Sequence, residues 1–414
     1  MRITQCRASG STDLRSFLDL GITPLADALV KPENLDKPEH RFPLELVFCP
    51  ESALVQITED VPEDVLFDEN YLYFSSFSDV VLKHSREHAL GVIAEKGLDE
   101  NSLVVELASN DGYLLKNFVE AGVPVLGIDP SPEPAKAANE IGVTTMVEFF
   151  GDDLAQKLVA GSDGTGGKKA DVILANNVFA HIPDINDFTA GMKTLLADGG
   201  VIHIENPYVR DLIEHCEFDT IYHEHFYYHS CTSIDRQMRR HGLHLNHVEY
   251  FPKLHGGTLR WHCSHDEGRS EELQAYLDAE VAAGMDTFAY YEAFAERVQG
   301  VKRDLLALLG DLKAQGKRVA GYGAAAKGAT LINYVGIGTD LMEFVVDRNV
   351  HKHGHHMPGT HQPVKDVSAL VEEMPDYVLL LAWNFKDEIM AQQAEYLAKG
   401  GKFIVPVPTP QIVE

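Results

Sequence analysis

Several features that would place this chain in a special class are missing from its 414 residues. No apolar run approaches the roughly 20 residues that a bilayer-spanning helix needs. The opening stretch, MRITQCRASG, lacks the apolar core of a secretion signal. Cysteine is scarce and odd in number, at five residues, so a disulfide scaffold is not expected. We therefore expect a cytoplasmic protein with no membrane partner and with two or three domains.

Positive charge is also in short supply. The chain has 35 Lys and Arg against 63 Asp and Glu, a formal net charge of −28. The densest basic cluster, at Arg236, Arg239 and Arg240, is typical of a solvated helix face. Such a surface repels nucleic acid, so we expect no nucleic-acid partner. A small ligand can still bind in a locally positive pocket, and the sequence leaves the oligomeric state open.

The apolar pattern predicts an α/β protein in three parts. Residues 1–70 form a small, loop-rich module with β-like runs at 44–48 and 53–57. Residues 71–268 begin with an amphipathic helix over 80–96 and continue with short apolar runs that alternate with helices. This alternation indicates a parallel sheet covered on both faces. Residues 269–414 hold one or two long connecting helices over 271–313, followed by a second βα pattern.

A nucleotide-cofactor site is predicted where the first two strands of the core end. The strand at 103–107 runs into a loop with one glycine, and the strand at 123–128 ends in a carboxylate placed to accept hydrogen bonds from a ribose. The predicted cofactor contacts here are Glu106, Ala108, Asn110, Asp111, Gly112 and Asp129. Acidic side chains would repel a pyrophosphate but suit a cationic sulfonium, which favours S-adenosylmethionine over NAD. An ordinary strand-to-helix turn is the alternative.

Polar side chains also follow the apolar run at 172–174. Asn176 and Asn177 are predicted as further cofactor contacts, and His181 is predicted to lie in the same crevice. Helix capping by these residues is the alternative interpretation.

The densest cluster of reactive side chains lies in FDTIYHEHFYYHS. It contains Tyr222, His223, Glu224 and His225. The spacing does not fit the H-E-x-x-H zinc motif. Imidazole suits proton transfer near neutral pH, and carboxylate or phenol neighbours can orient it. An extended chain would put His223 and His225 on one face, whereas a turn would bring different side chains together. A polar inter-domain segment without catalytic function is the alternative.

Three weaker features complete the survey. Arg260 follows a Gly pair that predicts either a hairpin turn or a pocket wall. Gly321, Gly323 and Lys327 open a helix and suit a phosphate, although helix packing explains the glycines nearly as well. The histidines between 351 and 361 lack the spacing of a metal site and indicate a solvated loop.

Taken together, these motifs resemble the sugar C-methyltransferases of antibiotic deoxysugar pathways, over essentially the whole chain. The likeness rests on LDLGITPLADA, ELASNDGYLL, NNVFAHI, ENPY, FDTIYHEHFYYHS, HGGTLR and GYGAAAKGATLINY. It implies a zinc-ribbon-like N-terminal module, a Rossmann-like methyltransferase core and a C-terminal Rossmann-like domain. The implied cofactor is S-adenosylmethionine, and the implied substrate is a thymidine-diphosphate 4-keto deoxysugar.

The resemblance also implies roles for individual residues. His225 would be the base that removes a proton beside the ketone, with C3 favoured over C5 as the methylated carbon. Tyr222, Glu224 and His181 would orient it or stabilise the enolate. Arg260, Gly321, Gly323 and Lys327 would contact the substrate. The motifs support these four substrate contacts less strongly than they support the proton-transfer residues.

One departure concerns zinc. The family pattern has two C-x-x-C pairs, whereas this chain has Cys6 with Ser9 and Cys49 with Ser52. Hydroxyls are poor zinc ligands beside thiolates. We therefore expect either weak zinc binding through Cys6 and Cys49 or a module held by packing.

Two other functions remain open from the sequence. A nicotinamide-dependent nucleotide-sugar oxidoreductase or epimerase would share the sheet and the substrate class, but it requires a glycine-rich first loop. A non-catalytic nucleotide-sugar binding module would not need the cluster at 222–225.

Overall fold

The computed structural model describes residues 2–62, 75–77, 79–162, 165–254 and 256–414. These residues form three β-sheets with helices packed on and between them. The predicted border at residue 70 lies outside the described ranges. Within those ranges, no helix is both long and apolar enough to cross a membrane.

The first sheet is small, antiparallel and made from two distant parts of the chain. Its strand order is β1-β2-β3-β9. Its strands are β1 (Arg15–Pro24), β2 (Arg41–Cys49), β3 (Leu54–Ile57) and β9 (Tyr227–Tyr228). The runs predicted at 44–48 and 53–57 correspond to β2 and β3. The fourth strand comes from the FDTIYHEHFYYHS segment, so this sheet is completed only when the core is folded.

The second sheet has seven strands in the order β10-β11-β8-β7-β4-β5-β6. The strands are β4 (Val104–Leu107), β5 (Val125–Ile128), β6 (Thr145–Met146), β7 (Ala170–Asn176), β8 (Leu196–Pro207), β10 (His244–Phe251) and β11 (Thr258–Ser264). The five neighbouring strands β6, β5, β4, β7 and β8 run parallel to one another. Strands β11 and β10 extend the sheet beyond β8 in antiparallel pairing. The strand order reverses between β4 and β7, and open α/β sheets bind ligands at this point.

The third sheet repeats the parallel pattern on a smaller scale, in the order β14-β13-β12-β15-β16-β17. Its strands are β12 (Val319–Tyr322), β13 (Val345–Asp347), β14 (Val364–Asp366), β15 (Tyr377–Leu380), β16 (Lys402–Val405) and β17 (Gln411–Val413). Only β17 runs antiparallel to its neighbour. The expected C-terminal Rossmann-like domain is therefore present.

Helices cover the sheets and connect them. They are α1 (Asp79–Lys96), α2 (Lys116–Glu120), α3 (Pro132–Glu140), α4 (Asp152–Val159), α5 (Ile185–Leu195), α6 (Val209–Glu214), α7 (Cys231–Arg240), α8 (Glu271–Ala283), α9 (Ala289–Glu292), α10 (Phe294–Ala314), α11 (Ala326–Val335), α12 (Ala369–Glu373), α13 (Lys386–Gln392) and α14 (Ala394–Ala398). The connector predicted over 271–313 consists of three helices, because Gly284 takes a left-handed conformation (φ 77°) and ends α8.

The buried carboxylate of Glu280 fastens the connector to the core. Its Oε1 accepts hydrogen bonds from the Tyr208 hydroxyl and the Cys231 amide, each at 2.8 Å. Its Oε2 accepts from the amide (2.8 Å) and hydroxyl (2.6 Å) of Thr232. Four donors therefore converge on one charged group at the start of α7.

We expect Glu280→Gln to destabilise the protein by about 2–4 kcal/mol, because an amide nitrogen would then face hydrogen-bond donors in a buried site. The measurement is the urea midpoint of unfolding. Glu292→Gln, an exposed change on α9, is the matched control. Equal midpoints for the two variants would contradict the fastening role of Glu280.

Candidate active site

The predicted cofactor loop has an unusual backbone. After β4, Ala108 (φ 56°), Asn110 (φ 50°) and Gly112 (φ 77°) all lie in the left-handed region. A Cβ on Gly112 would stand 3.0 Å from a methyl group of Val143, so both conformation and space require glycine here. Non-glycine residues held at positive φ cost energy and are concentrated at binding sites.

Asp129 closes this loop from the end of β5. Its Oδ2 accepts a hydrogen bond from the amide of Asn110 at 2.8 Å, and its Oδ1 accepts one from the amide of Ser131 at 2.8 Å. The carboxylate that is predicted to bind the ribose therefore also holds the loop in place through these two hydrogen bonds.

Glu106 completes a group of three carboxylates with Asp111 and Asp129. Its side chain is buried. Burial, followed by the charges of Asp129 and Asp111, holds the pKa of Glu106 well above its usual range. Carboxyl groups gathered in one crevice oppose a pyrophosphate, whereas a bound cation would favour their ionised forms.

The loop after β7 faces the same end of the sheet. Asn177 also has a positive φ (53°), and its amide donates to the carbonyl oxygen of Glu205 at 2.6 Å. Among the described residues, Asn176 Oδ1 and Asp111 Oδ1 are buried without a hydrogen-bond partner. Buried acceptors of this kind fit the amino group and ribose hydroxyls of S-adenosylmethionine.

The Tyr-His-Glu-His segment forms a turn rather than a strand, which decides the alternative that the sequence left open. His223 points to the N-terminal module, where its Nε2 lies 3.1 Å from the carbonyl oxygen of Pro43. His225 turns the other way, with its ring centroid 4.0 Å from that of Tyr222 and 4.6 Å from that of His181. Three of the four predicted catalytic residues therefore share one cluster.

Hydrogen bonding sets the tautomer of His225. Its Nδ1 lies 3.0 Å from the carbonyl oxygen of Thr220, which can only accept, so Nδ1 donates. In the neutral ring the lone pair then resides on Nε2. Burial lowers the pKa of His181 to about 4, opposed by its bond to the backbone of Glu224. His181 is therefore uncharged near neutral pH.

Glu224 pairs with a residue that the sequence analysis did not single out. This residue is Asp27 of the N-terminal module: burial, followed by the charge of Asp27, holds the pKa of Glu224 well above its usual range. Burial also raises the pKa of Asp27, while Lys352 and the amide of Ala326 act the other way. Asp27 lies in the LDLGITPLADA motif, where the sequence analysis predicts no functional residue.

The C-terminal domain meets the same segment through a second polar cluster. The Trp383 indole donates to Asp219 Oδ2 at 2.6 Å, and Lys327 Nζ donates to Asn384 Oδ1 at 3.0 Å. Burial lowers the pKa of Lys327, and the charges of Asp219 and Glu217 oppose that shift. The predicted phosphate ligand Lys327 therefore sits against carboxylates in this structure.

The two predicted glycines of this domain have different surroundings. A Cβ on Gly321, inside β12, would stand 2.9 Å from the sulfur of Met342, which gives this glycine a packing role. Gly323 (φ 99°) forms the turn before α11. The next amide, from Ala324, donates to Asp347 Oδ2 at 2.7 Å.

Arg260 lies on β11, where its guanidinium is fully engaged. It bonds Glu205 at 2.7 Å and Glu249 at 3.2 Å, and it lies 3.0 Å from His84 Nε2. With several histidines it lines a cavity of about 570 Å³ beside α1. The Gly pair before it joins β10 to β11, so the hairpin interpretation is confirmed.

The C-terminal histidines do not form a metal cluster. His353 contacts the Asp347 carbonyl oxygen at 2.8 Å, while His361 contacts Glu39 at 2.9 Å. In the described parts of the chain, no three His, Cys, Asp or Glu side chains could hold a metal ion. The predicted zinc residues Cys6 and Cys49 do converge, but with serine hydroxyls. This donor set does not fit a structural zinc ion.

Three family models match successive parts of the chain. Family models described as "Putative zinc binding domain", "Methyltransferase domain" and "C-methyltransferase C-terminal domain" match residues 6–67, 82–248 and 253–408. The C-methyltransferase NovU of Streptomyces niveus is 34% identical over 414 residues, which cover 99% of this chain and 97% of that protein.

Two solved structures are more distant. A magnesium protoporphyrin IX methyltransferase from Synechocystis PCC 6803 is 16% identical, with a TM-score of 0.34 over 48% of this chain and 86% of its own. The CcbJ methyltransferase from Streptomyces caelestis is 14% identical, with a TM-score of 0.34 over 45% and 90%.

Proposed function

The chain belongs to the S-adenosylmethionine-dependent sugar C-methyltransferases, and from this premise we propose that it methylates C3 of a thymidine-diphosphate 4-keto deoxysugar. Membership of this family decides against the nicotinamide-dependent oxidoreductase and the binding module without catalysis. The finer proposal concerns the substrate, the carbon and the residues.

The observation that carries the proposal is the cluster of His225, Tyr222 and His181. His181 belongs to the loop that also holds Asn176 and Asn177, so the cofactor crevice and the histidine cluster share one loop. The Phe226 amide donates to the carbonyl oxygen of Ala180 at 2.8 Å, which fixes the catalytic turn to that loop. A base beside a sulfonium site suits carbon methylation.

The chemistry follows from the ketone. A 4-keto group acidifies the hydrogen on C3, and Nε2 of His225 takes that proton while the electron pair moves onto the ketone oxygen. Donors near this oxygen stabilise the enolate. Tyr222 and Glu224 are the proposed donors, since burial and the charge of Asp27 raise the pKa of Glu224 and favour its protonated, donating form. When bound, S-adenosylmethionine supplies the electrophilic methyl group that C3 accepts.

The C-terminal domain is the proposed site for the nucleotide end of the substrate. Asp347 ends β13 and accepts hydrogen bonds from the amides of Ala324 (2.7 Å) and Asn349 (2.8 Å). Asp129 makes the same two kinds of bond in the cofactor loop. The turn at Gly323 and the start of α11 suit a diphosphate. This repetition supports a nucleoside there, with Lys327 as a less supported contact. Gly321 packs inside β12 and Arg260 is engaged on β11, so the structure gives these two predicted contacts other roles.

A methyl-transfer assay across a panel of nucleoside-diphosphate sugars tests the proposal. We expect turnover with a thymidine-linked 4-keto deoxysugar and a product methylated at C3. The 4-hydroxy analogue should give no product, because its C3 hydrogen is not acidic. Equal turnover of the 4-hydroxy analogue would overturn the enolate chemistry, and a C5 product would overturn the assigned carbon.

His225→Asn should abolish methyl transfer, a loss of at least about a hundredfold, because the proton acceptor is removed. Binding of S-adenosylhomocysteine, measured by calorimetry, should be retained. Exchange of the C3 hydrogen in heavy water should also stop. His351→Asn, an exposed change in the C-terminal loop, is the control. Unchanged turnover in His225→Asn would remove this residue from the base role.

Asp27→Asn should move the alkaline limb of the kcat profile to lower pH. The charge of Asp27 helps to raise the pKa of Glu224. Without it, and with the positive Lys352 still nearby, Glu224 would lose its proton at lower pH, and the neutral acid would disappear earlier. Asp36→Asn, exposed on the same module, is the control. A uniform loss of activity with an unmoved limb would indicate a merely structural role.

A further inference from the structure

The N-terminal module brings two C-x-x-S segments together where its family model expects zinc. Cys6 and Ser9 lie in the first turn, and Cys49 and Ser52 lie in the turn between β2 and β3. Cys6 Sγ is 3.2 Å from Ser52 Oγ, and Ser9 Oγ is 3.5 Å from Cys49 Sγ. The four side chains therefore lie together as the ligands of a tetrahedral site would, but two of them carry hydroxyls instead of thiols.

The donors in this cluster bond each other and a neighbouring amide. Gln56, which is fully buried, donates from Nε2 to Cys6 Sγ at 3.2 Å. Structural zinc is held by four thiolate or imidazole ligands, and neutral hydroxyls do not replace them. Nothing in the described ranges supplies the missing ligands, since no third His, Cys, Asp or Glu joins the two thiols.

We infer that this module is metal-free, and that a hydrogen-bonded cluster of Cys6, Ser9, Cys49 and Ser52 occupies the place of the zinc ion. In both segments the serine stands where the family pattern has its second cysteine. A single loss would leave three thiolates with residual affinity, whereas the double change leaves two.

A small module without metal needs other support, because it buries little apolar surface by itself. The rest of the chain provides that support through its backbone. The amide side chain of Asn186 donates to the carbonyl oxygens of Arg7 (2.8 Å) and Ala8 (3.2 Å). Arg236 donates to the carbonyl oxygen of Pro50 at 2.8 Å, next to Cys49. Both turns that would hold zinc are therefore held by the methyltransferase core.

Aromatic packing and strand pairing add to this support. Phe48 on β2 stacks on Tyr291 of α9 with ring centroids 4.7 Å apart, and Phe17 lies 5.2 Å from the same ring. Strand β3 pairs with β9, where Val55 lies opposite Tyr228. These contacts can replace the folding energy that a metal supplies in a free-standing zinc module.

The test measures metal content and its effect on stability in the full-length protein. Protein expressed with added zinc and purified under reducing conditions should contain well below one equivalent of zinc by elemental analysis. A strong chelator should leave its thermal midpoint unchanged. One equivalent of zinc that survives dialysis against the chelator would overturn the inference.

A gain-of-function variant tests the geometry independently of activity. Ser9→Cys/Ser52→Cys restores four thiols at the converging positions, so it should bind about one equivalent of zinc, and its thermal midpoint should then fall on chelation. Ser16→Cys/Ser162→Cys adds two thiols at exposed positions and should bind none. If the cluster variant binds no zinc, the four side chains do not form the vacated site, and the inference fails on geometry.

Discussion

The proposed catalytic turn at 222–225 keeps its shape because three parts of the protein hold the short segment around it. On one side, Tyr227 and Tyr228 form β9 and pair with Val55 and Gln56 of the N-terminal module. On another, the Phe226 amide bonds the loop after β7. On the third, the hydroxyl of Thr330 in α11 donates to the carbonyl oxygen of Ile221 at 3.1 Å. No single domain could fix this segment, which contains almost no regular structure of its own.

This shared support explains why the three sheets act as one enzyme. The methyltransferase core supplies the cofactor loop and the two histidines, but the charge next to Glu224 comes from Asp27 in one neighbour, and Asp27 in turn is influenced by Lys352 and Ala326 in the other. A carboxyl pair at a junction depends on how closely its neighbours approach, since burial is the largest cause of both shifts. Loss of contact between the units would therefore change the chemistry of Glu224 before it unfolded the core.

The sequence predicted those parts of the site that depend on local pattern. The strand ends at Glu106 and Asp129, the single glycine at 112 and four parallel strands in each of the second and third sheets follow from periodicity and turn chemistry. Partners far apart in sequence could not be predicted in this way. Asp27 meets Glu224 and Lys327 meets Asp219 only after the units have packed. Gly321 shows an ambiguity of the local pattern, because a glycine that packs against Met342 gives the same signal as one that approaches a phosphate.

We infer that the N-terminal module contributes to the proposed active site rather than to metal binding. It contributes the carbonyl oxygen of Pro43 to His223, the strand partner of β9 and the carboxyl group of Asp27. A zinc ion would contribute only to the folding of the module. Because the core holds both turns through Asn186 and Arg236, the module that we infer to be metal-free needs no ion for its folding, and its proposed contribution to the reaction is Asp27. In the proposed chemistry, His225 with its fixed tautomer would act as the base and Glu224 as the acid, and Asp27 of the module would favour the protonated form of Glu224.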